Sequence, residues 1–223
     1  MTQEQDLKLQ ILKEVCSMRE YSLADIALFM QTPFDGNIIK DNPALNGHWD
    51  HIKLNGVYIC YTDGRKELWN GSNSKENVSH IGIKLGDFQF GLQLHDKGEY
   101  QLLRDGVRCP ETAGHYTRGK RNAFEDFDAE AATARIVALG TDIPLADGEL
   151  IPTAGQWGIM MMFASAIQEA LAYVGGDPLT DEDWYWSATE YSQNGAWYVN
   201  FNDGNTYNDG KYHSYRVRAV VAF

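Results

Sequence analysis

The stretch 184–223 reads WYWSATEYSQNGAWYVNFNDGNTYNDGKYHSYRVRAVVAF. In it Trp197, Val199 and Phe201 alternate with Tyr198, Asn200 and Asn202. Successive side chains of a strand point to opposite faces, so one face here is apolar and the other polar. Val217, Ala219, Val221 and Phe223 repeat the alternation and predict a second strand with one shared face. Asn-Gly or Asp-Gly pairs at 194–195, 203–204 and 209–210 punctuate the run. Both residue types tolerate the positive φ of tight hairpin turns, which predicts short antiparallel strands. Of the 26 residues from Tyr191 to Arg216, 18 are Asn, Tyr, Asp, Gly, Ser or His. Buried Asn and Asp need partners to offset desolvation, so the polar parity is expected to stay wet while the apolar parity grips a core. The product is a rigid platform displaying Tyr, Asn, Asp and His. Such a mix suits recognition: Tyr supplies rigid contact area at low entropic cost, and Asn, Ser and Gly supply adaptable hydrogen bonds. On composition alone, turn formation and strand filling explain the same residues equally well.

The same punctuation continues upstream, with Asn-Gly or Asp-Gly at 55–56, 63–64, 70–71, 105–106 and 147–148. Val57–Tyr61 is a β-like run; Ile81, Ile83 and Leu85 alternate, as do Phe88, Phe90, Leu92 and Leu94. Two helices interrupt the strands. One covers about 128–139, with Asp128 as N-cap and Gly140 as stop; the other covers about 153–174, capped by Thr153 and ended by Gly175-Gly176. Trp157, Met161, Ala164, Ile167 and Leu171 give the second a core-facing stripe. Residues 6–31 also read as helical, and the Asp/Asn/Gly/Pro-rich stretch 34–50 as a linker. The chain is therefore read as α+β, with an N-terminal helical segment over 1–50 and a second domain over 51–223.

The 223 residues carry 19 Lys and Arg against 31 Asp and Glu, a net charge of −12. Such a surface repels phosphate backbones and argues against nucleic acid as a partner. The three cysteines, Cys16, Cys60 and Cys109, are far apart and predict neither a disulfide framework nor a cysteine zinc site. No apolar run is long enough to span a bilayer, and the start MTQEQDLKLQ lacks the apolar core of a signal peptide.

The segments YWSATEYS, AWYVNF and YRVRAVVAF together resemble the C-terminal part of C-type-lectin-like proteins of gut bacteria and their phages. Within that group they resemble the variable proteins of diversity-generating retroelements, which are ligand-binding proteins such as phage tropism determinants. The resemblance is best over about 184–223 and weaker through LIPTAGQWG (150–158), the helix at 128–139 and VYICYTDG (57–64). It implies a C-type-lectin-like domain, the fold superfamily that includes formylglycine-generating enzymes, with two helices and short antiparallel strands. It further implies a variable region at about 184–218, in which reverse transcription changes template adenines. The scaffold implied is Trp186, Ser187, Thr189, Glu190, Trp197, Val199, Phe201, Gly204, Lys211, Ser214, Val217 and Arg218. The diversified, ligand-binding positions implied are Asn194, Gly195, Tyr198, Asn200, Asn202, Asp203, Asn205, Tyr207, Asn208, Asp209, Gly210, Tyr212, His213 and Tyr215. Each carries a residue reachable from an AAC codon by changing adenines alone. Arg216 stands where the family often has Tyr. The function implied is non-catalytic receptor recognition of a protein or glycan on a cell surface, with the N-terminal segment serving a display partner on a virion or cell. A fixed-specificity lectin or adhesin of the same fold is the second reading.

Catalytic and metal readings are weaker. Formylglycine-generating chemistry needs a cysteine pair in the C-terminal half, and no cysteine follows Cys109. Asn200, Asn202, Asp203, Asn205 and Asp209 offer oxygens suited to calcium, but the EPN and WND motifs of calcium lectins are absent. His48 and His51 lack an evident third metal ligand; His95-Asp96 reads as a turn after a strand, and Glu182-Asp183 as a solvated connection. No GxSxG, HExxH or phosphate-binding glycine loop is present. No cofactor is expected.

Overall fold

Alternating apolar residues and glycine turns assemble two five-stranded sheets in the computed structural model, which describes residues 55–111, 115–180 and 182–223. The expected helix over 6–31, the linker 34–50, Cys16, His48 and His51 lie outside these residues. The stretch Leu54–Phe223 forms one compact unit. Its first sheet holds β1 (Gly56–Tyr61), β2 (Lys66–Leu68), β3 (Val78–Leu85), β4 (Phe88–Gln93) and the C-terminal β10 (Val220–Val221), in the order β10-β4-β3-β1-β2. All its pairings are antiparallel, with Ile59 opposite Ile81 and Ile81 opposite Leu92, so these three line one face. Of the alternating set in β4, Phe90 and Leu92 are buried, but Phe88 is exposed and stacks on Phe127.

The second sheet holds β5 (Gly98–Gln101), β6 (Trp184–Glu190), β7 (Gly195–Asn200), β8 (Thr206–Gly210) and β9 (Ser214–Val217), in the order β5-β9-β6-β7-β8. Its pairings are antiparallel except the β6–β9 contact at Tyr185 and Arg216. The register sets Trp184 opposite Asn200, Trp186 opposite Tyr198, and Tyr198 opposite Tyr207.

Four helices occur among the described residues: α1 (Lys120–Phe124), α2 (Ala129–Ala138), α3 (Ala154–Met162) and α4 (Ala164–Val174). The Asp128 carboxylate accepts from the Ala131 N–H at the start of α2. Thr153 and Gln156 form a reciprocal capping box at α3, and Gly175 ends α4 at φ 80°. The expected single helix over 153–174 is broken at Phe163, where the axis turns by 85°. The bend has a packing reason. α3 packs on β6 and β7, whereas α4 packs on β1 and β3. One straight helix could not serve both sheets. The core between them contains Ile59, Ile81, Leu92, Trp157, Ile167, Leu171, Tyr185, Val199 and Phe201. The sequence carries no periodic apolar signal for α1, whose Lys120 and Arg121 precede the acidic residues Glu125, Asp126 and Asp128.

The closing strand also departs from expectation. Val217 belongs to β9 in the second sheet, whereas Val220 and Val221 pair with β4 in the first. The chain changes sheets at Arg218-Ala219, so the parity of 217, 219, 221 and 223 breaks and Val220 is buried in place of Val221. Arg218, fully buried, fastens the crossing: it donates to the carbonyls of Gln93, Leu94 and Asp177 and pairs with Asp96.

Candidate functional site

The residues of the C-terminal tail fall into three groups by burial. Trp197, Val199 and Phe201 are buried, and the Trp197 indole donates to the Thr117 carbonyl at 2.8 Å. Asn194, Asn202, Asp203, Asn205, Tyr207, Asn208, Tyr212 and His213 are exposed, with Tyr207 at 47% and Tyr212 at 43%. They lie on the turns joining β6 to β7, β7 to β8 and β8 to β9 and on the edge strand β8. Tyr198, Asp209, Gly210 and Tyr215 are half-buried.

Two positions do not fit the expected display set, Asn200 on the polar parity and Gly195 on the parity of Trp197. Asn200 is 6% exposed, and its Oδ1 accepts from the N–H groups of Asn202 and Asp203 at 3.0 and 3.3 Å. Its amide also donates to the Asp183 carbonyl. It is therefore a turn-forming residue folded into the protein, and its desolvation is offset by these bonds. Gly195 is buried as well. A Cβ there would meet Ser192 Oγ at 3.0 Å and the Asp209 carbonyl oxygen at 3.3 Å, so side chains at this position are tightly constrained. A Cβ on Gly210 would lie 2.5 Å from the Tyr212 ring, so a substitution there displaces an exposed tyrosine.

The expected platform, with one face in the core and the other in water, is only half of what the sheet does. The opposite face is also covered. Trp186, Ala196 and Val217 join Leu102, Leu103, Cys109, Ile136, Ile143 and Ile151 in a second core cluster, with Tyr198 and Tyr215 packed at its margin. The polar parity thus emerges as an aromatic ladder at the edge of this cluster. Tyr198 and Tyr215 stack with centroids 4.4 Å apart and 7° between planes. Trp184 meets Tyr198 edge-on at 4.9 Å and Tyr207 at 5.7 Å. The Lys120 Nζ sits over the Tyr207 ring, 4.7 Å from its centroid. The Tyr215 hydroxyl donates to Asp209 Oδ2 at 2.7 Å. Burial, and then that bond, push the Tyr215 pKa up.

Below the turns lies a dry ionic anchor. Glu190 has a fully buried side chain that pairs with Lys211 Nζ at 3.2 Å and Arg135 Nε at 3.0 Å and accepts from the Cys109 thiol. Burial pushes the Glu190 carboxyl up, but Lys211 and the hydrogen bonds from Arg135 and Cys109 outweigh it and hold the group below its ordinary value. Lys211, 1% exposed, also reaches the Ser192 and Gln193 carbonyls. It therefore ties the β6–β7 turn to the β8–β9 turn. Arg216 joins Asp96 and Asp183 at 3.1 and 2.7 Å.

Other candidate chemistry is spent on structure. Asp203 accepts from the Asn205 backbone and side chain; Asp209 accepts from the Gly210 N–H and the Tyr215 hydroxyl. Of the oxygens considered for calcium, those of Asn200, Asp203 and Asp209 are thus engaged within the tail, and no group of three or more His, Cys, Asp or Glu able to hold a metal occurs among the described residues. His95 faces Asp177, while Asp96 faces Arg216 and Arg218, so His95-Asp96 is not an acid–base pair. Burial pushes the thiols of Cys60 and Cys109 up to about 11, far from the reactive thiolate range. A small cleft of about 30 Å³ beside Asn194 and Tyr212, lined by Arg104, Arg108 and Lys211, has room for about two waters.

Two surface residues escaped the sequence reading. Trp184 opens the quoted stretch but belongs to neither the scaffold nor the display set, and Lys120 stands among basic residues far from the tail in sequence. Only the fold brings them to Tyr207.

No protein-family model matches the chain, and no curated protein matches it. A solved structure of a fimbrial protein from Bacteroides ovatus is a distant neighbour, at 13% identity and a TM-score of 0.47. The likeness covers 76% of this chain and 49% of that one, so the chain spans about half the length of that protein.

Proposed function

We propose that this protein is a non-catalytic ligand-binding protein, with a C-type-lectin-like domain over 51–223, that recognises a protein or glycan on a cell surface. The observation that carries the reading is the close interleaving of dry anchors and wet display residues. Trp197, Val199, Phe201 and Lys211 are buried, yet Asn194, Asn202, Asp203, Asn205, Tyr207, Asn208, Tyr212 and His213 stand in water between and beside them. A surface arranged this way exchanges its exposed side chains with little effect on stability. That is the property a diversified binding region needs, and it supports the finer reading of a retroelement target. Asn200, by contrast, belongs with the scaffold.

The test has two arms. A Tyr207→Ala/Tyr212→Ala variant keeps the wild-type unfolding midpoint but loses capture of the ligand selected from a glycan array and a displayed surface-protein library. Retained capture sinks the binding surface. Sequencing the locus reveals a near-copy of the tail differing at adenines, with a reverse transcriptase gene beside it. A locus lacking both leaves a fixed-specificity lectin or adhesin.

A further inference from the structure

The surface bearing the display residues is rich in polar side chains, several of which are already hydrogen-bonded within the tail. Asn200 closes a turn, Asp203 and Asn205 bond each other, and Asp209 holds the Tyr215 hydroxyl. What the ladder leaves open is part of its ring surface, although Tyr198 has one face covered by Tyr215. Trp184 and Tyr198 are partly exposed and Tyr207 is half exposed, and the three rings stand 4.9 to 6.3 Å apart, tilted to one another by 43° to 63°. Cations need ring faces and a favourable field. Both are present. The chain carries a net charge of −12, with carboxylates Asp203 and Asp209 on either side of Tyr207 in the chain. A cation already occupies part of the site: the Lys120 ammonium lies over the Tyr207 ring.

We propose that Trp184, Tyr198 and Tyr207 form a receiving site for an Arg or Lys side chain of a protein ligand, with Lys120 acting as a built-in competitor that the incoming cation displaces. The inference rests on the ligand-binding reading and narrows the ligand to a protein with a basic contact. It makes Trp184 and Lys120 specificity determinants, although neither is among the diversified positions. A fixed tryptophan keeps one aromatic ring in place while the side chains at 198 and 207 change. Arg, Trp and Tyr are also the residues that dominate binding energy in protein interfaces.

The sign of the Lys120 effect is the test. Wild type and Lys120→Met are titrated at low salt with a tetra-arginine peptide, and separately with tetra-glutamate and with maltotriose. Ring and indole proton shifts of Trp184, Tyr198 and Tyr207 are followed by NMR. The arginine peptide is expected to shift these three residues saturably, and the other two probes to leave them unmoved. Lys120→Met, which removes competition and like-charge repulsion, is expected to tighten binding about two- to fivefold, as one exposed cation–π contact allows. Trp184→Ala is expected to weaken it by a similar factor, with the Tyr198 and Tyr207 signals still those of a folded protein. Shifts spread over the acidic surface, stronger response to maltotriose, or weaker binding by Lys120→Met would overturn the proposal. If the peptide fails while Tyr207→Ala/Tyr212→Ala still abolishes capture of the selected ligand, only the cationic site falls. If that capture survives the double variant, the ligand-binding reading falls with it.

Discussion

Replacing Lys211 with Met probes the boundary between scaffold and display more sharply than any other change. Lys211 lies between Gly210 and the exposed Tyr212, yet it is 1% exposed and its ammonium contacts Glu190. Met keeps the length and apolar stem while removing the charge. Breaking a buried pair by deleting one partner costs about 3–5 kcal/mol. Arg135 still faces Glu190 in the variant, which puts the expected loss near the lower end, about 3 kcal/mol. With a denaturant slope near ~2 kcal/mol/M, that moves the urea midpoint down by roughly 1.5 M. Tyr212→Ala, one residue away, is expected to stay within about 0.5 kcal/mol of wild type. The pH dependence follows from Glu190, whose carboxyl is held below its ordinary value in the folded protein. Its stabilisation is present above the unfolded carboxylate pKa and is lost as pH falls through the folded one. The gap between wild type and Lys211→Met should therefore be widest near neutral pH and shrink in acid. Adding Glu190→Gln to Lys211→Met should recover part of the loss, because the fully buried position then carries no charge and only the partly exposed Arg135 loses its partner. A Lys211→Met loss below about 1 kcal/mol, or one as large at pH 3 as at pH 7, would refute the ionic anchor.

Two further outcomes separate the groups in the tail. Trp197→Ala, which removes a buried indole and its bond to Thr117, is expected to cost about 3–5 kcal/mol in a urea titration, against little change for Tyr207→Ala. Equal losses would place Tyr207 in the core. Asn200→Ala is expected to cost about 1–3 kcal/mol, since two turn N–H groups lose their acceptor, and to raise amide exchange at Asn202 and Asp203. An unchanged midpoint would return Asn200 to the display set.

Tyr198 illustrates how the tertiary structure qualifies a sequence argument. Alternation places it opposite Trp197, which the structure shows, but alternation says nothing of what covers the other face. The second core cluster reaches that face, so Tyr198 stacks on Tyr215 instead of standing free. Replacing it therefore perturbs packing as well as binding, unlike Tyr207 and Tyr212. The bend at Phe163 and the sheet change at Arg218-Ala219 escaped for the same reason. Each depends on which sheet a segment meets, and periodicity within the segment carries no record of it.

By itself, the sequence determined what neighbouring residues impose on one another. Strand parity buried Trp197, Val199 and Phe201, the Asp-Gly pairs at 63–64, 105–106, 147–148 and 203–204 placed turns with positive-φ glycines, and Asp128, Thr153 and Gly175 bounded the helices, because all of these are local stereochemistry. Gly195 and Gly210, expected at turns, lie instead in β7 and β8 without positive φ. Only the tertiary structure decided the rest. It turned Asn200 inward to close a turn, sank Lys211 beside Glu190, and brought Trp184 and Lys120 to Tyr207. These outcomes rest on contacts between residues up to 87 positions apart, from Lys120 to Tyr207. Burial and pairing at that range are properties of the assembled sheets and of no single stretch of chain.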